Sequence, residues 1–278
     1  MGRVSSRVAQ TGAGVLLALA LVALFAPVIA PFDPALSTGP SFDRPSLDHP
    51  LGTNDIGQDI LSELLYAARN SLLVGGMAAL VAVTAGLAVG LAAGLARPLA
   101  EATLMRATDL VLAVPVVPLM VVLGAFLGGG AVTQILVIGG LLWAPPAREV
   151  RAQVLSLRER GPARAAVAMG AGPGHIVRRH LLQALVPLAA AQLVRATATA
   201  ILLEASLSFL GLGDPSAKSW GTMLHFAQIQ GAVLTDAWLW WVVPPGLAIA
   251  TTVVSLALLA TAIDGRRTSP GMTGGATR

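Results

Sequence analysis

Six long apolar stretches dominate this chain: Thr11–Ala30, Ser71–Ala96, Leu104–Leu127, Ala131–Ala147, Leu185–Leu212 and Ala237–Ile263. A helix needs about 20 mostly apolar residues to cross the hydrocarbon core of a bilayer. Each stretch therefore reads as a spanning helix, the fourth being short. Alternation of apolar and polar residues at a period of two is absent, which excludes a membrane barrel. Only 12% of the 278 residues are charged, and 55% are hydrophobic. Soluble domains carry about 25% charged residues, so a soluble enzyme and a disordered chain are both excluded. The fold class is all-α, a polytopic membrane protein with six transmembrane helices.

Between these stretches the chain divides into a terminal segment 1–10, a first span 11–30, a loop 31–70, a membrane domain 71–263 and a tail 264–278. If the N-terminus is cytoplasmic, the inner segments hold 14 of the 18 cationic side chains and the outer ones hold Arg44, Arg69 and Lys218. That split predicts both termini inside. Trp238, Trp240 and Trp241 then fall at the outer interface, where aromatic residues concentrate. Arg3 and Arg7 before an apolar run also resemble a signal peptide, but the run is long enough to span and no small-x-small cleavage site precedes Pro31. The net charge of +4 is spread over loops, which gives no reason to expect nucleic acid as a partner.

The largest inner loop, 148–184, carries the most information. Gly161-Pro162 opens a short helical stretch, Ala163–Met169, and Gly170 closes it. Proline at the first helical position and glycine just past the end are the usual asymmetry. A second helical stretch, His175–Leu185, leads into the fifth span. A short helix between two arms suits a docking element; the alternative is a basic loop against lipid headgroups.

Several features inside the spans carry two readings. Gly86, Gly90 and Gly94 lie near one face of the second span, where another helix approaches closely, either from this subunit or from a partner. Glu204 sits in the second half of the fifth span; a charge at a helix centre costs at least about 2.5 kcal/mol, so it lines a path or bonds a neighbouring helix. Arg195 is expected to snorkel inward, and Asp109 to pair with Arg106 three residues before it. The stretch Asp55–Ala68 places Ile56, Ile60, Leu64 and Ala68 on one face with Asp59 and Glu63 off it, which predicts an interfacial amphipathic helix.

There is no Cys, and His49, His175, His180 and His225 lack metal-ligand spacing, so no metal site and no nucleophilic centre is expected. No P-loop occurs: Lys218 is the only Lys, and Ala217 precedes it.

Taken together, Ala163-Arg-Ala-Ala-Val-Ala-Met-Gly170, with Ile176 and His180-Leu-Leu, resembles the cytoplasmic signature loop of binding-protein-dependent ABC importer permeases. His49-Pro-Leu-Gly-Thr-Asn-Asp-Ile-Gly-Gln-Asp59, Ala68-Arg-Asn-Ser-Leu72 and Met105-Arg-Ala-Thr-Asp109 are similar to motifs of the dipeptide/oligopeptide/nickel branch. So are Ile201–Gly213 and Ser219-Trp-Gly-Thr-Met-Leu224. The chain departs from the pattern at Arg164, where an acidic or amide residue is usual, and at Gln183-Ala184, where Pro-Asn is common.

The resemblance implies a type I-like permease architecture that forms half of an ATP-driven import path for short peptides, or for a nickel chelate. It implies a second permease in a heterodimer, two ATPase subunits or domains that use the ATP, and an extracytoplasmic solute-binding protein. The chain would then need no cofactor of its own and would not itself be an enzyme. Arg164, Ala165, Ala166, Gly170, Ile176 and His180 would form the ATPase-coupling loop. A secondary transporter driven by an ion gradient is the reading from a different class; it predicts internal repeats, and none is found.

Overall fold

The structure is a computed structural model that describes residues 2–159, 169–170 and 172–267. It is helical, with no strand among the described residues beyond two isolated bridges, Ser37 to Gln58 and Thr53 to Asp59.

In chain order the helices are α1 (Gly2–Ile29), α2 (Ile60–Leu95), α3 (Pro98–Ala113), α4 (Val116–Leu127), α5 (Ala131–Leu142), α6 (Ala144–Arg158), α7 (Pro173–Ile176), α8 (Leu182–Leu207), α9 (Trp220–Ile229), α10 (Trp238–Trp241) and α11 (Val243–Arg267). A π-helical turn, Val177–Leu181, joins α7 to α8, and another, Ser208–Leu212, follows α8. The second ends where Gly211 takes φ +80°, a left-handed value that only glycine adopts freely.

Six straight spans are not what the chain forms. Among the described residues, four helical segments are long and apolar enough to cross a bilayer: Gln10–Ile29, Ile60–Leu95, Leu182–Leu212 and Trp238–Ile263. The third apolar stretch breaks into α3 and α4, which meet at 85° and make a fifth span only if counted as one. The cause is Pro115. It has no N–H to donate and drives Val114 out of the helical region, to φ −80° and ψ 131°. The fourth stretch also divides, at Trp143 before Pro145-Pro146. At 12 residues, α5 is only about 18 Å long.

The 36-residue α2 is the central element, packed by α1, α5, α6 and α8. α1 crosses α11 closely at Gly12, where an added Cβ would lie 2.9 Å from the Ser255 carbonyl oxygen. Apolar side chains gather in three clusters along α2. One, at its N-terminal end, holds Ile60, Ala67, Ile201, Trp220, Met223 and Trp241. A middle cluster holds Ala78, Met120, Ile138 and Leu207. The last, at the C-terminal end, holds Val150, Val154, Leu181 and Leu185.

Candidate functional site

Polar chemistry concentrates at the two ends of α2. At its N-terminus, residues 31–59 fold into a cap. Asp59 is the N-cap of α2, its Oδ2 accepting from the Ser62 backbone N–H at 2.8 Å and from the Ser62 hydroxyl at 2.7 Å. This satisfies a donor the first helical turn leaves open. The other carboxylate oxygen of Asp59 is hydrogen-bonded to His49 Nδ1 at 3.0 Å. The Phe32 N–H donates to Ser62 Oγ, and the Phe32 ring lies against the His49 ring, tying the end of α1 to the same point. Asn54 holds its loop through Oδ1, which accepts from the N–H groups of Ile56 and Gln58, and through Nδ2, which donates to Gln58 and Glu63. Lys218 reaches in from the chain before α9, donating to Gln58 at 2.8 Å and pairing with Glu63.

The interfacial helix expected over 55–68 is therefore replaced. The helix begins at Ile60 and runs unbroken into the span. Ile60 and Ala68 of the expected apolar face are buried, but so are Asp59 and Glu63, at 0% and 2% exposed, while Ile56 is 55% exposed. Helical periodicity favoured burial of the apolar side, but the carboxylates find cation and amide partners from segments distant in sequence, and those partners allow their burial. Glu63, Gln58 and Lys218 line a cavity of about 360 Å³ with an apolar floor of Met223, Phe226 and Trp241.

Deeper along α2, Glu204 of α8 is fully buried where α2, α8 and α9 cross. Its Oε1 accepts from Ser208 Oγ at 2.8 Å, and Ser208 in turn accepts from Gln134 Nε2 of α5 at 3.1 Å. Ser71 of α2 accepts the Trp220 N–H at the start of α9. Ser219 and Thr222 close a capping box on that helix. α9 approaches α8 through Gly221, where a Cβ would stand 2.6 Å from the Ala205 carbonyl oxygen.

At the C-terminal half of α2, the three glycines spaced by four all face α6. Added Cβ atoms at Gly86, Gly90 and Gly94 would lie 2.5 Å from Pro146 Cβ, 2.6 Å from the Ala147 carbonyl oxygen and 2.6 Å from Val154 Cγ1. The neighbour they admit belongs to this subunit.

α6 is also laced to α3. Arg148 pairs with Asp109, and Arg151 pairs with Glu101, its Nε donating at 2.7 Å. Asp109 thus bonds across to α6 instead of to Arg106 in its own helix, because the cross-helix guanidinium is within reach. Arg158 donates to the Gly94 carbonyl oxygen at 2.6 Å. On its other side α6 offers Glu149, whose Oε2 accepts from Gln192 Nε2 at 2.9 Å and from Arg195 at 3.2 Å. Arg195 does not only snorkel along its helix; it pairs with a neighbouring one.

Beyond α6 lies the expected docking loop. Arg164, Ala165 and Ala166 fall outside the described residues. Gly170 has φ +84°, the left-handed conformation of a chain reversal. Ile176 closes α7 and His180 lies in the π-helical turn that leads into α8; their side chains are outside the described set.

Residues 86–269 match the model of the binding-protein-dependent transport system inner membrane component family, and residues 4–50 match that of the N-terminal transmembrane domain of oligopeptide transport permease C. The chain belongs to this permease family. It is 33% identical to a protein of Brucella suis named as a peptide permease, over 90% of this chain and 83% of the relative. It is 35% identical to the di/tripeptide transport system permease of Pseudomonas aeruginosa, over 88% and 82% of the two chains. Identity to the oligopeptide transport system permease of Bacillus subtilis is 32%, over 79% and 72%.

As a member of this family the chain is a multi-pass membrane permease and not an enzyme. The first match covers the glycine stripe, the ion-paired helices, Glu204 and the loop; the second covers α1 and most of the cap. Two polar groups of this permease escape sequence reading: Glu63 with Lys218, and Glu149 with Gln192 and Arg195. Only the second left a signal, since Gln192 and Arg195 are three apart in an apolar span and so share a face.

Proposed function

We propose that this permease forms half of an ATP-driven import path for short peptides. Alignment with peptide permeases over about nine-tenths of the chain carries this reading. A second permease would complete the path as a heterodimer, two ATPase subunits would supply the work, and an extracytoplasmic binding protein would deliver the cargo. Both termini would be cytoplasmic, the arrangement that the 14-to-3 loop charge split supports. The cap 31–59 would then face outward, toward the binding protein, and the 148–184 connection inward, toward the ATPases.

In this arrangement, movement of the coupling loop is passed to α6, and from α6 to α2 through the glycine contact and to α3 through two ion pairs. That is a rigid-body route for switching access between the two sides. Glu204 would hold α9 to the span at the outer end of the path.

Uptake of a labelled dipeptide tests the reading. Removal of this chain, or inactivation of the partner ATPase, is expected to abolish uptake. Uptake that survives ATPase inactivation and follows an ion gradient would instead establish a secondary carrier. Labelling of residues 161–174 by an impermeant reagent from outside intact cells would overturn the orientation.

A further inference from the structure

Arg69 is the last charge of α2 on the side of the cap, and the next charge along the chain is Arg97, just past the other end of the helix. The rise from one to the other is about 42 Å at 1.5 Å per residue, the thickness of a bilayer with its headgroups. Arg69 therefore stands at headgroup level, with Tyr66, a residue favoured at that level, one turn above it.

Arg69 is exposed and lines a cleft of about 390 Å³ with Pro34, Tyr66, Asn70, Leu73 and Ala217. The Tyr66 hydroxyl, the Arg69 guanidinium and the Asn70 amide make no side-chain hydrogen bond or ion pair among the described residues. Lys218 also reaches this wall, but Glu63 matches its charge. No described Asp or Glu lines the cleft, so Arg69 leaves it a net cation. Donors gathered in this way suit an oxyanion. A guanidinium can hold two phosphate oxygens at once, and the hydroxyl and the amide each add a donor.

Below Arg69 the exposed positions of α2 are Leu73, Met77, Leu80, Thr84, Ala88 and Ala92, three or four residues apart and so on one face. The only hydroxyl among them, that of Thr84, is turned back onto the Leu80 carbonyl oxygen at 2.7 Å. An apolar track thus leads from the donors into the hydrocarbon. A phospholipid matches both parts, with its phosphate among the donors and an acyl chain along the track. The cleft has no anion to receive an ammonium or choline group, which favours a headgroup that carries the phosphate charge alone.

We infer that the cleft at Arg69 binds the phosphodiester of an anionic phospholipid from the leaflet on the side of the cap. Arg69 holds the phosphate, Tyr66 and Asn70 fix its position, and the lipid fastens the chain after α1 to the outer turns of α2 where Pro34 and Ala217 meet.

Two measurements on the permease, purified with its partners into lipid nanodiscs, decide this. The chain contains no Cys, so Ala217→Cys places one thiol of this subunit in the cleft. Leu47→Cys, in the fully exposed cap loop, corrects for the effect of surface charge on the reagent. A water-soluble maleimide is expected to modify Ala217→Cys, relative to Leu47→Cys, several-fold more slowly in phosphatidylcholine discs containing phosphatidylglycerol than in phosphatidylcholine alone. Arg69→Gln is expected to remove that difference. Equal rates in the two discs, or slowing that persists in Arg69→Gln as general shielding, would overturn the site. Slowing by dissolved inorganic phosphate in phosphatidylcholine discs would assign the cleft to a soluble oxyanion, and slow modification in every disc would assign it to the second permease. Either result overturns the lipid assignment.

The second measurement is the rise in unfolding midpoint when phosphatidylglycerol is added, taken for each variant against its own midpoint in phosphatidylcholine, so that a change in folding does not enter. The wild type is expected to gain a few degrees, Arg69→Lys part of that, and Arg69→Gln none. Equal gains in all three would overturn the role of Arg69.

Discussion

The two ends of α2 are stabilised in opposite ways. At the N-terminal end, carboxylates are enclosed: Asp59 and Glu63 are buried and bonded to His49, Ser62, Asn54 and Lys218, which come from the loop, the helix and a segment more than 150 residues away. At the C-terminal end the ion pairs, Arg148 with Asp109 and Arg151 with Glu101, lie on the surface of a tight apolar contact made by three glycines. The lesson is that one end depends on polar groups that cannot be left unpaired, and the other on shape. Under the proposed function, the end that would receive the binding protein has the first device, and the end that would move with the coupling loop has the second.

Single substitutions sharpen or break this contrast, each read as thermal stability in detergent and as membrane level. The largest loss is expected from Glu63→Ala, which leaves Lys218 without its carboxylate in the cap. Breaking a buried pair by removing one partner costs about 3–5 kcal/mol. Gly90→Leu comes next. The new side chain meets the Ala147 carbonyl oxygen and Val150, and overpacking of this kind costs about 1–3 kcal/mol; co-purification with the partner permease should fall with it. Asp59→Ala removes a cap and is expected to cost about 1–2 kcal/mol. Arg148→Ala should be the mildest, because pairs as exposed as Arg148 and Asp109 contribute about 0–1 kcal/mol. If Arg148→Ala matched Glu63→Ala, the two ends would not differ as described. Gly170→Pro probes the connection beyond α6: proline cannot take φ +84°, so the permease should reach the membrane with peptide uptake lost.

Much of this was legible in the sequence because local patterns enforce it. Apolar length marked α1, α2, α8 and α11. Spacing by four put Gly86, Gly90 and Gly94 on one face, and the structure supplied what the spacing left open, namely that α6 of the same chain is the neighbour. Two things were hidden. The bend at Pro115 falls inside an apolar run, where hydropathy stays high through a break in the helix. The burial of Asp59 and Glu63 depends on His49, Asn54 and Lys218, and no period of 3.6 residues reports a partner that arrives from another segment. For the same reason Asp109 was assigned to its helical neighbour Arg106, when the guanidinium that reaches it comes from α6.

The 85° angle between α3 and α4 has a mechanical consequence. Two limbs joined at nearly a right angle behave as a crank: a thrust along the first swings the second sideways. Under the proposed function, with α3 fastened to α6, a push entering there would emerge at α4 as a lateral sweep, so a small stroke at one surface of the bilayer would be redirected across its plane without any helix having to slide lengthwise.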